Sequence, residues 1–227
     1  MADPFAGSGV VGRLGRLRGM TVTSSDIEAY TRPLGRAFIE VSPGNIPELF
    51  AATGGYRRTL DRLNTLTTPE EKDRIFSRHY APRDTAAADP DAERLFYTQE
   101  NASRIDAILA AIDRDLPLSD VAKDVLRASL LVEMSIHNNT SGVMKGFHRG
   151  WGGGGGDALS RIMAPIALEE LAFIDGPRGR VAVGPAEEVL LEERSRRSGA
   201  SVGPTFDVVY ADPPYTIHQY GANYHLL

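Results

Sequence analysis

Short apolar segments along the chain predict the strands of a sheet. Residues 206–209 form an apolar run of the kind that makes a buried parallel strand, and shorter strands are predicted over 20–23 and 180–183. A glycine turn and a helical pattern over 10–17 precede the strand at 20–23. This succession of turn, helix, strand and acidic residue predicts the first βαβ half of a nucleotide-binding sheet.

The middle of the chain has the spacing of helices instead. Residues 95–116 and 118–136 repeat Leu and Ile at helical intervals, and these side chains are predicted to form a core. The pattern predicts an α/β fold in two parts. Residues 1–45 and 177–227 make up the sheet domain, and residues 46–176 form a mainly helical insertion.

The composition is that of an ordinary soluble globular protein. Of the 227 residues, 42% are apolar and 24% are charged, and the absence of cysteine excludes disulfides and thiolate metal sites. No apolar run reaches the roughly 20 residues of a membrane span, and the N-terminus has no secretory pattern. We therefore expect a cytoplasmic protein with no metal and no membrane partner. The formal net charge of −5 counts mildly against nucleic-acid binding.

The glycine turn near the N-terminus is the first candidate ligand site. Residues 3–9 read DPFAGSG, and the glycines let the backbone approach a ligand that a Cβ atom would push away. Asp26 follows about twenty residues later, where an acid can bond ribose hydroxyls. Residues 7–12 also fit G-x-G-x-x-G, a pattern that by itself indicates NAD and is weak when it stands alone.

A second candidate site follows the strand predicted at 206–209. Residues 210–215 read YADPPY, and the two prolines stop the strand because neither can donate to a sheet ladder. Asp212 and Tyr215 are therefore predicted on a stiff turn at the carboxyl end of a central strand, the edge at which open α/β sheets bind ligands. A carboxylate, free carbonyls and an aromatic face suit a flat heterocycle that carries an amine.

A loop over residues 138–151 breaks the helical pattern, and five glycines follow it. It interleaves basic and aromatic residues, which can bind phosphates and stack on bases. The alternative is a mobile glycine linker beside a helical lobe. We favour nucleic-acid contacts for four of its residues: Lys145, His148, Arg149 and Trp151. His148 is not predicted to bind a metal, because no second ligand stands at the required spacing.

The two motifs together, DPFAGSG and DPPY, resemble those of the D12 class of adenine-specific DNA methyltransferases. The order of cofactor motif, insertion and DPPY is similar to the alpha arrangement of DNA amino-methyltransferases, and residues 216–225 add to the likeness. The resemblance implies a Rossmann-like, S-adenosylmethionine-dependent sheet and an insertion that recognises the target DNA. It implies a set of residues that hold the cofactor: Asp3, Pro4, Phe5, Gly7, Gly9, Asp26 and Ile27.

The implied reaction is transfer of a methyl group from S-adenosylmethionine to the N6 amine of an adenine flipped out of double-stranded DNA. Tyr215 would stack on the base, while Asp212 and the carbonyl of Pro213 would accept hydrogen bonds from the amine. A cognate restriction endonuclease is a further implied partner. The catalytic set is Asp212, Pro213, Pro214 and Tyr215, and the nucleic-acid contacts extend to His218, Tyr220 and Asn223.

The chain departs from this pattern at Pro185, where such enzymes often carry an acid near the adenine of the cofactor. Little sequence precedes the first motif or follows the second. We expect a piece of a longer protein, or a truncated gene product, that is poorly active or inactive and exposes an apolar sheet edge. Three alternatives remain: a non-catalytic DNA-binding module, an RNA amino-methyltransferase and, last, an NAD-dependent oxidoreductase.

Overall fold

The computed structural model describes residues 1–142, 144–197, 206–214 and 225–226. The chain divides into two compact units, which we call the sheet unit and the helical unit. The sheet unit consists of Met1–Leu49, Ser119–Ala128 and Leu171–Ile217. The helical unit consists of Phe50–Leu118, Ser129–Glu170 and His218–Leu227.

The sheet is small and entirely parallel. Strand β1 (Ala2–Asp3) pairs with β2 (Thr23–Asp26), and β2 pairs with β3 (Arg180–Val183). Beyond β1, Val209 makes a parallel bridge with Ala2. The order across the sheet is therefore β3, β2, β1 and then the segment around Val209. All carboxyl ends lie at one edge.

Hydrogen bonds fix the segment around Val209 beside β1. The amide of Ala2 donates to the carbonyl of Val208 at 2.8 Å, and the amide of Tyr210 donates to the carbonyl of Ala2 at 2.9 Å. The prediction that residues 206–209 form a buried strand is wrong in its burial, because Val208 and Val209 are 44% and 52% exposed. In the described part of the chain no further strand lies beyond them.

Three helices of the sheet unit connect or flank its strands: α1 (Val10–Leu17), α2 (Thr31–Gly35) and α9 (Ala186–Arg197). The predicted helix over 10–17 and the predicted strand over 180–183 are confirmed. Helix α2 continues as a π-helical turn over Arg36–Glu40. A Cβ atom on Gly35 would lie 2.9 Å from Val181, so glycine permits the close approach of α2 to β3.

The first half of helix α7 (Asp120–His137) belongs to the sheet unit. Asp124 is fully buried, and its carboxylate lies 2.8 Å from the guanidinium of Arg36, 3.2 Å from that of Arg32 and 2.6 Å from that of Arg127. A buried carboxylate needs such partners to offset its lost hydration. The ion pairs with Arg32 and Arg36 tie the first half of α7, which lies within the predicted insertion, to the sheet unit.

Among the residues that the structure describes, the helical unit has four complete α-helices and the rest of α7. Ile105, Ile108 and Ile112 are fully buried, which confirms the predicted core face there. Asp106 accepts hydrogen bonds from the amides of Phe76 and Ser77 at 2.8 and 2.9 Å and so caps the start of α5. The four helices are α4 (Tyr56–Asn64), α5 (Phe76–His79), α6 (Gln99–Ala110) and α8 (Leu159–Met163). The short helix α3 (Ile46–Leu49) ends the first stretch of the sheet unit.

Within the described residues, none of the helices combines the length and apolarity needed to cross a membrane. The same residues contain no group of three or more His, Asp or Glu side chains placed to hold a metal ion.

Candidate functional site

The carboxyl edge of the sheet gathers three aspartates from separate parts of the sequence. Asp3 ends β1, Asp26 ends β2, and Asp212 follows the bridge made by Val209. The three aspartates lie near one another because the carboxyl ends of parallel strands lie at the same edge of a sheet. The glycine turn between β1 and α1 lies at this edge too.

The glycines of the turn are required by the backbone. Gly7 and Gly9 have φ angles of 50° and 76°, in the left-handed region that other residues rarely adopt. A Cβ atom on either would meet nothing within 4 Å, so packing is not the reason for glycine here. The turn is closed by the amide of Gly9, which donates to the carbonyl of Ala6 at 2.7 Å. Its surface is open to a ligand.

Asp26 ties the end of β2 to the glycine turn. One carboxylate oxygen accepts a hydrogen bond from the amide of Gly7 at 2.8 Å, and the other accepts one from the amide of Glu28 at 3.0 Å. Each carboxylate oxygen has a second lone pair, so Asp26 can still accept hydrogen bonds from a ligand. Ile27, the next residue, is 67% exposed and offers an apolar surface beside it.

Asp3 occupies the most buried position of the three, with 1% of its surface exposed. It accepts a hydrogen bond from the amide of Gly12 at 3.1 Å, in the first turn of α1. The pKa of Asp3 is raised from 3.8 to about 6, mainly by burial and further by the negative charges of Asp26 and Asp212, while the hydrogen bond from Gly12 opposes the rise. A cationic ligand at this edge would favour the ionised form.

The raised pKa of Asp3 makes its stability contribution depend on pH. Because the folded state binds the proton more tightly than the unfolded chain, stability falls as pH rises from about 4 through about 6, and it stays lower above that. Asp3→Asn keeps an oxygen for Gly12 and removes the charge. We expect it to raise the free energy of unfolding at pH 8 by on the order of 2 kcal/mol, with no difference near pH 3.5.

Chemical denaturation of the unsubstituted chain and of the Asp3→Asn variant, at pH 3.5 and at pH 8, measures this difference in the free energy of unfolding. A stabilisation of equal size at pH 3.5 and pH 8 would contradict it, because the cause would then not be the ionisation of Asp3.

The DPPY turn is described as far as its second proline. Asp212, Pro213 and Pro214 are exposed, so the carboxylate and the proline carbonyls are open to solvent. Neither proline has an amide hydrogen, and this part of the edge therefore presents acceptors. Four predicted site residues lie outside the described part of the chain: Tyr215, His218, Tyr220 and Asn223. Near the other motif, Pro4 is buried and Phe5 is half-buried.

The predicted nucleic-acid loop belongs to the helical unit and is anchored by Asn139. This buried amide donates to the carbonyls of Leu95 and His148 at 2.9 and 3.1 Å, and its oxygen accepts a hydrogen bond from the amide of Gly152 at 3.2 Å. The loop therefore has a defined course through His148. Lys145, on the same loop, is exposed.

Arg149 and Trp151 differ in which of their groups remain free to contact a nucleic acid. The guanidinium of Arg149 pairs with Asp91, so its charge is compensated. The indole N–H of Trp151 donates to the carbonyl of Thr85 at 3.2 Å, which holds the ring in place. The ring lines a cavity of about 680 Å³. Other side chains in its wall are Asp84, Glu100, Met163 and Pro165. Trp151 therefore presents a fixed aromatic surface.

Sequence reasoning missed two features of these sites. The sequence pattern includes Gly12 only as the last glycine of G-x-G-x-x-G, whereas in the structure its amide donates a hydrogen bond to Asp3. Its place in the first turn of the helix is a signal that such an amide needs an acceptor. Asp84 and Glu100, which share the cavity with Trp151, have no such signal, because they stand more than fifty residues before it in the sequence.

No protein-family model and no solved structure matches the chain. Type II methyltransferase M.NlaIII of Neisseria lactamica is 29% identical over 228 residues, which cover 99% of this chain and 58% of that protein. Modification methylase LlaI of Lactococcus lactis subsp. lactis is 28% identical over 231 residues, which cover 100% of this chain and 33% of that protein.

A viral protein is similar too. Type II methyltransferase M.CviAII of Paramecium bursaria Chlorella virus 1 is 26% identical over 227 residues, which cover 100% of this chain and 59% of that protein. The chain thus spans between about a third and three fifths of the lengths of these relatives. Along its whole length it is similar to modification methyltransferases.

Proposed function

We propose that the chain carries the catalytic site of a site-specific DNA methyltransferase, which transfers a methyl group from S-adenosylmethionine to the N6 amine of adenine. The observation that carries the proposal is the acidic carboxyl edge. There the glycine turn, Asp26 and Asp3 lie at the same edge as the Asp212 turn. The similarity to modification methyltransferases supports it from sequence.

The strand order supports a Rossmann-like sheet. Numbered along the chain, with the segment around Val209 as the fourth strand, the order across the sheet is 3-2-1-4. A doubly wound sheet with this order changes direction between strands 1 and 4, and its ligands bind at the carboxyl side of that point. The glycine turn follows strand 1, and Asp212 follows strand 4.

The charge of the site favours S-adenosylmethionine over NAD. The sulfonium and ammonium groups of S-adenosylmethionine are cationic, and they would be stabilised by the carboxylates of Asp3, Asp26 and Asp212. The pyrophosphate of NAD carries negative charge and would add to a repulsion that already raises the pKa of Asp3. The same seven residues that the resemblance implies are proposed to hold the cofactor, with Asp26 at the ribose and the glycine turn beneath the methionine part.

The residues of the DPPY turn are proposed to present the amine. S-adenosylmethionine supplies, when bound, the methyl group on its sulfonium sulfur. The adenine must leave the duplex, which costs a few kcal/mol of stacking and pairing. Asp212 and the carbonyl of Pro213 then accept hydrogen bonds from the two N–H groups of the amine, and these bonds direct the nitrogen lone pair toward the methyl group. The prolines stiffen the turn, and Tyr215 is proposed to stack on the base. Positioning supplies most of the acceleration.

The helical unit is proposed to contact the target DNA. Trp151 offers a held aromatic ring beside a cavity that also contains Asp84 and Glu100. A base can stack on an indole, and carboxylates accept hydrogen bonds from the exocyclic amines of bases. Lys145 and His148 are proposed as further contacts, and a cognate restriction endonuclease is proposed as the partner of the complete modification system.

The test is incubation of the chain with S-adenosylmethionine carrying a deuterated methyl group and with mixed-sequence duplex DNA. The DNA is then digested to nucleosides and analysed by mass spectrometry. With enzyme in excess and a long incubation, we expect label on N6-methyladenine even if turnover is slow. Label on cytosine would contradict the assigned base, and label in RNA in preference to DNA would favour an RNA amino-methyltransferase. Unlabelled nucleic acid throughout would contradict the proposed reaction.

A further inference from the structure

A second cavity in the helical unit is lined by arginine. It lies at the start of helix α4, has a volume of about 410 Å³, and is separate in its residues from the cavity beside Trp151. Its wall consists of Ala52, Thr53, Gly54, Arg58, Thr59, Arg62 and Pro117. None of these seven residues is acidic, and the two charged ones among them are arginines.

The two arginines of this cavity stand on one face of α4, because residues four apart on a helix are neighbours. In the part of the chain that the structure describes, neither the Arg58 nor the Arg62 guanidinium makes an ion pair or a hydrogen bond. Arg57 on the same helix differs, since its guanidinium lies 3.1 Å from the carboxylate of Asp61. Arg58 and Arg62 therefore retain donors for a ligand.

The loop before α4 fits closely around Arg58. Gly54 has a φ angle of 83°, and a Cβ atom on it would lie 3.2 Å from both Cδ and Nη1 of Arg58. The absence of a side chain at this position thus leaves room for the arginine to fold over the loop. An arginine that is already placed loses less conformational freedom when it binds a ligand.

Thr53 and Thr59 contribute uncharged hydroxyl groups to the wall of the cavity. Their hydroxyl oxygens lie 2.6 Å apart, the hydroxyl of Thr59 is within 2.8 Å of the carbonyl of Gly55, and that of Thr53 is within 3.1 Å of the carbonyl of Phe50. Each hydroxyl has one hydrogen to donate, and these internal acceptors compete for it. Recognition by this cavity therefore depends on the two guanidinium groups.

We propose that Arg58 and Arg62 bind backbone phosphates of the DNA substrate at this cavity, an inference that rests on the proposed function. Guanidinium groups bind phosphate through paired, charge-assisted hydrogen bonds. Arg149 has the same chemistry, but its ion pair with Asp91 must first open. The cavity thus supplies sequence-independent affinity and orientation, and base recognition lies elsewhere in the protein.

The test is the salt dependence of duplex binding, measured by fluorescence anisotropy from 50 to 300 mM NaCl. The slope of log K against log salt is negative, and each lost phosphate contact lowers its magnitude by about 0.9. We expect Arg58→Gln and Arg62→Gln each to lower it by about 0.9 and the double variant by about 1.8. Arg57→Gln is the matched control, and its slope should equal that of the unsubstituted chain because Arg57 is already paired with Asp61.

An unchanged slope in the double variant would overturn the inference and leave the proposed function standing. So would a fall of equal size in Arg57→Gln, since a general loss of charge would then be the cause. Inorganic phosphate, added at constant ionic strength, distinguishes a site for free anions. Phosphate binding that is lost in the double variant, together with an unchanged slope for DNA, would assign the cavity to the free ion and overturn the inference. If the unsubstituted chain fails to bind duplex DNA at 50 mM NaCl, both proposals fall.

Discussion

Asp212→Ala is expected to lower methyl transfer by at least about a hundredfold, the effect of removing one group that stabilises a transition state. In the proposed reaction the carboxylate accepts a hydrogen bond from the amine that attacks the methyl group, and alanine leaves that hydrogen without a partner. Because Asp212 is exposed, its charge contributes about 1 kcal/mol or less to the binding of a cationic cofactor. Affinity for S-adenosylmethionine should therefore change less than about fivefold.

Single-turnover transfer to duplex DNA and calorimetric titration with S-adenosylmethionine measure the two effects separately. Asp207→Ala is the control, because Asp207 is an exposed aspartate of the same segment that precedes the bridge of Val209 to β1. Its transfer rate should match that of the unsubstituted chain. Transfer at an unchanged rate in Asp212→Ala would show that the carboxylate is not the acceptor of the amine hydrogen.

Asp26→Ala is expected to weaken the binding of S-adenosylmethionine by about a hundredfold or more. Hydrogen bonds to a charged group contribute about 1.5–3 kcal/mol each, and the proposed contacts with the ribose would be lost. The substitution also removes the acceptor of the Gly7 amide, which releases the glycine turn from the end of β2. The lost ribose contacts and the released glycine turn both weaken the binding of S-adenosylmethionine. The effect on binding should therefore exceed the effect on folding.

Glu28→Ala is the matched control for Asp26. Glu28 carries the same charge two residues away, and its backbone takes part in the local structure: the amide donates to Asp26, and the carbonyl accepts from the amide and the hydroxyl of Thr31. These backbone bonds do not depend on the Glu28 side chain. We expect its affinity for S-adenosylmethionine to stay within a few-fold of the unsubstituted value. Equal loss of binding in both variants would mean that negative charge near the end of β2 matters, and not the geometry of Asp26.

Features set by neighbouring residues were predictable from sequence. The helix over 10–17 follows from a glycine turn and the residues after it, and the strand over 180–183 from a run bounded by turn residues. The strand predicted over 20–23 forms three residues later, at Thr23–Asp26, and Asp26 is its last residue. In each case the signal lies within about ten residues, where chain stiffness and side-chain spacing decide the conformation.

Features made by distant residues could not be predicted in this way. The burial of Asp124 depends on arginines some ninety residues earlier, and the pairing of Arg149 with Asp91 joins residues 58 apart. The exposure of Val208 and Val209 depends on what lies beyond them in the sheet, which an apolar run cannot reveal. The raised pKa of Asp3 combines burial with two charges from other strands. Such properties arise from packing, and the local pattern does not contain them.

The most direct test of the central proposal is a calorimetric titration of the chain with S-adenosylmethionine, beside NAD and beside the Asp26→Ala variant. We expect one site for S-adenosylmethionine per chain, no binding of NAD, and loss of the site in the variant. Binding of NAD with the same sensitivity to Asp26 would contradict the assignment of the acidic edge to a cationic cofactor. Failure of S-adenosylmethionine to bind the unsubstituted chain would contradict the proposal that this edge is a cofactor site.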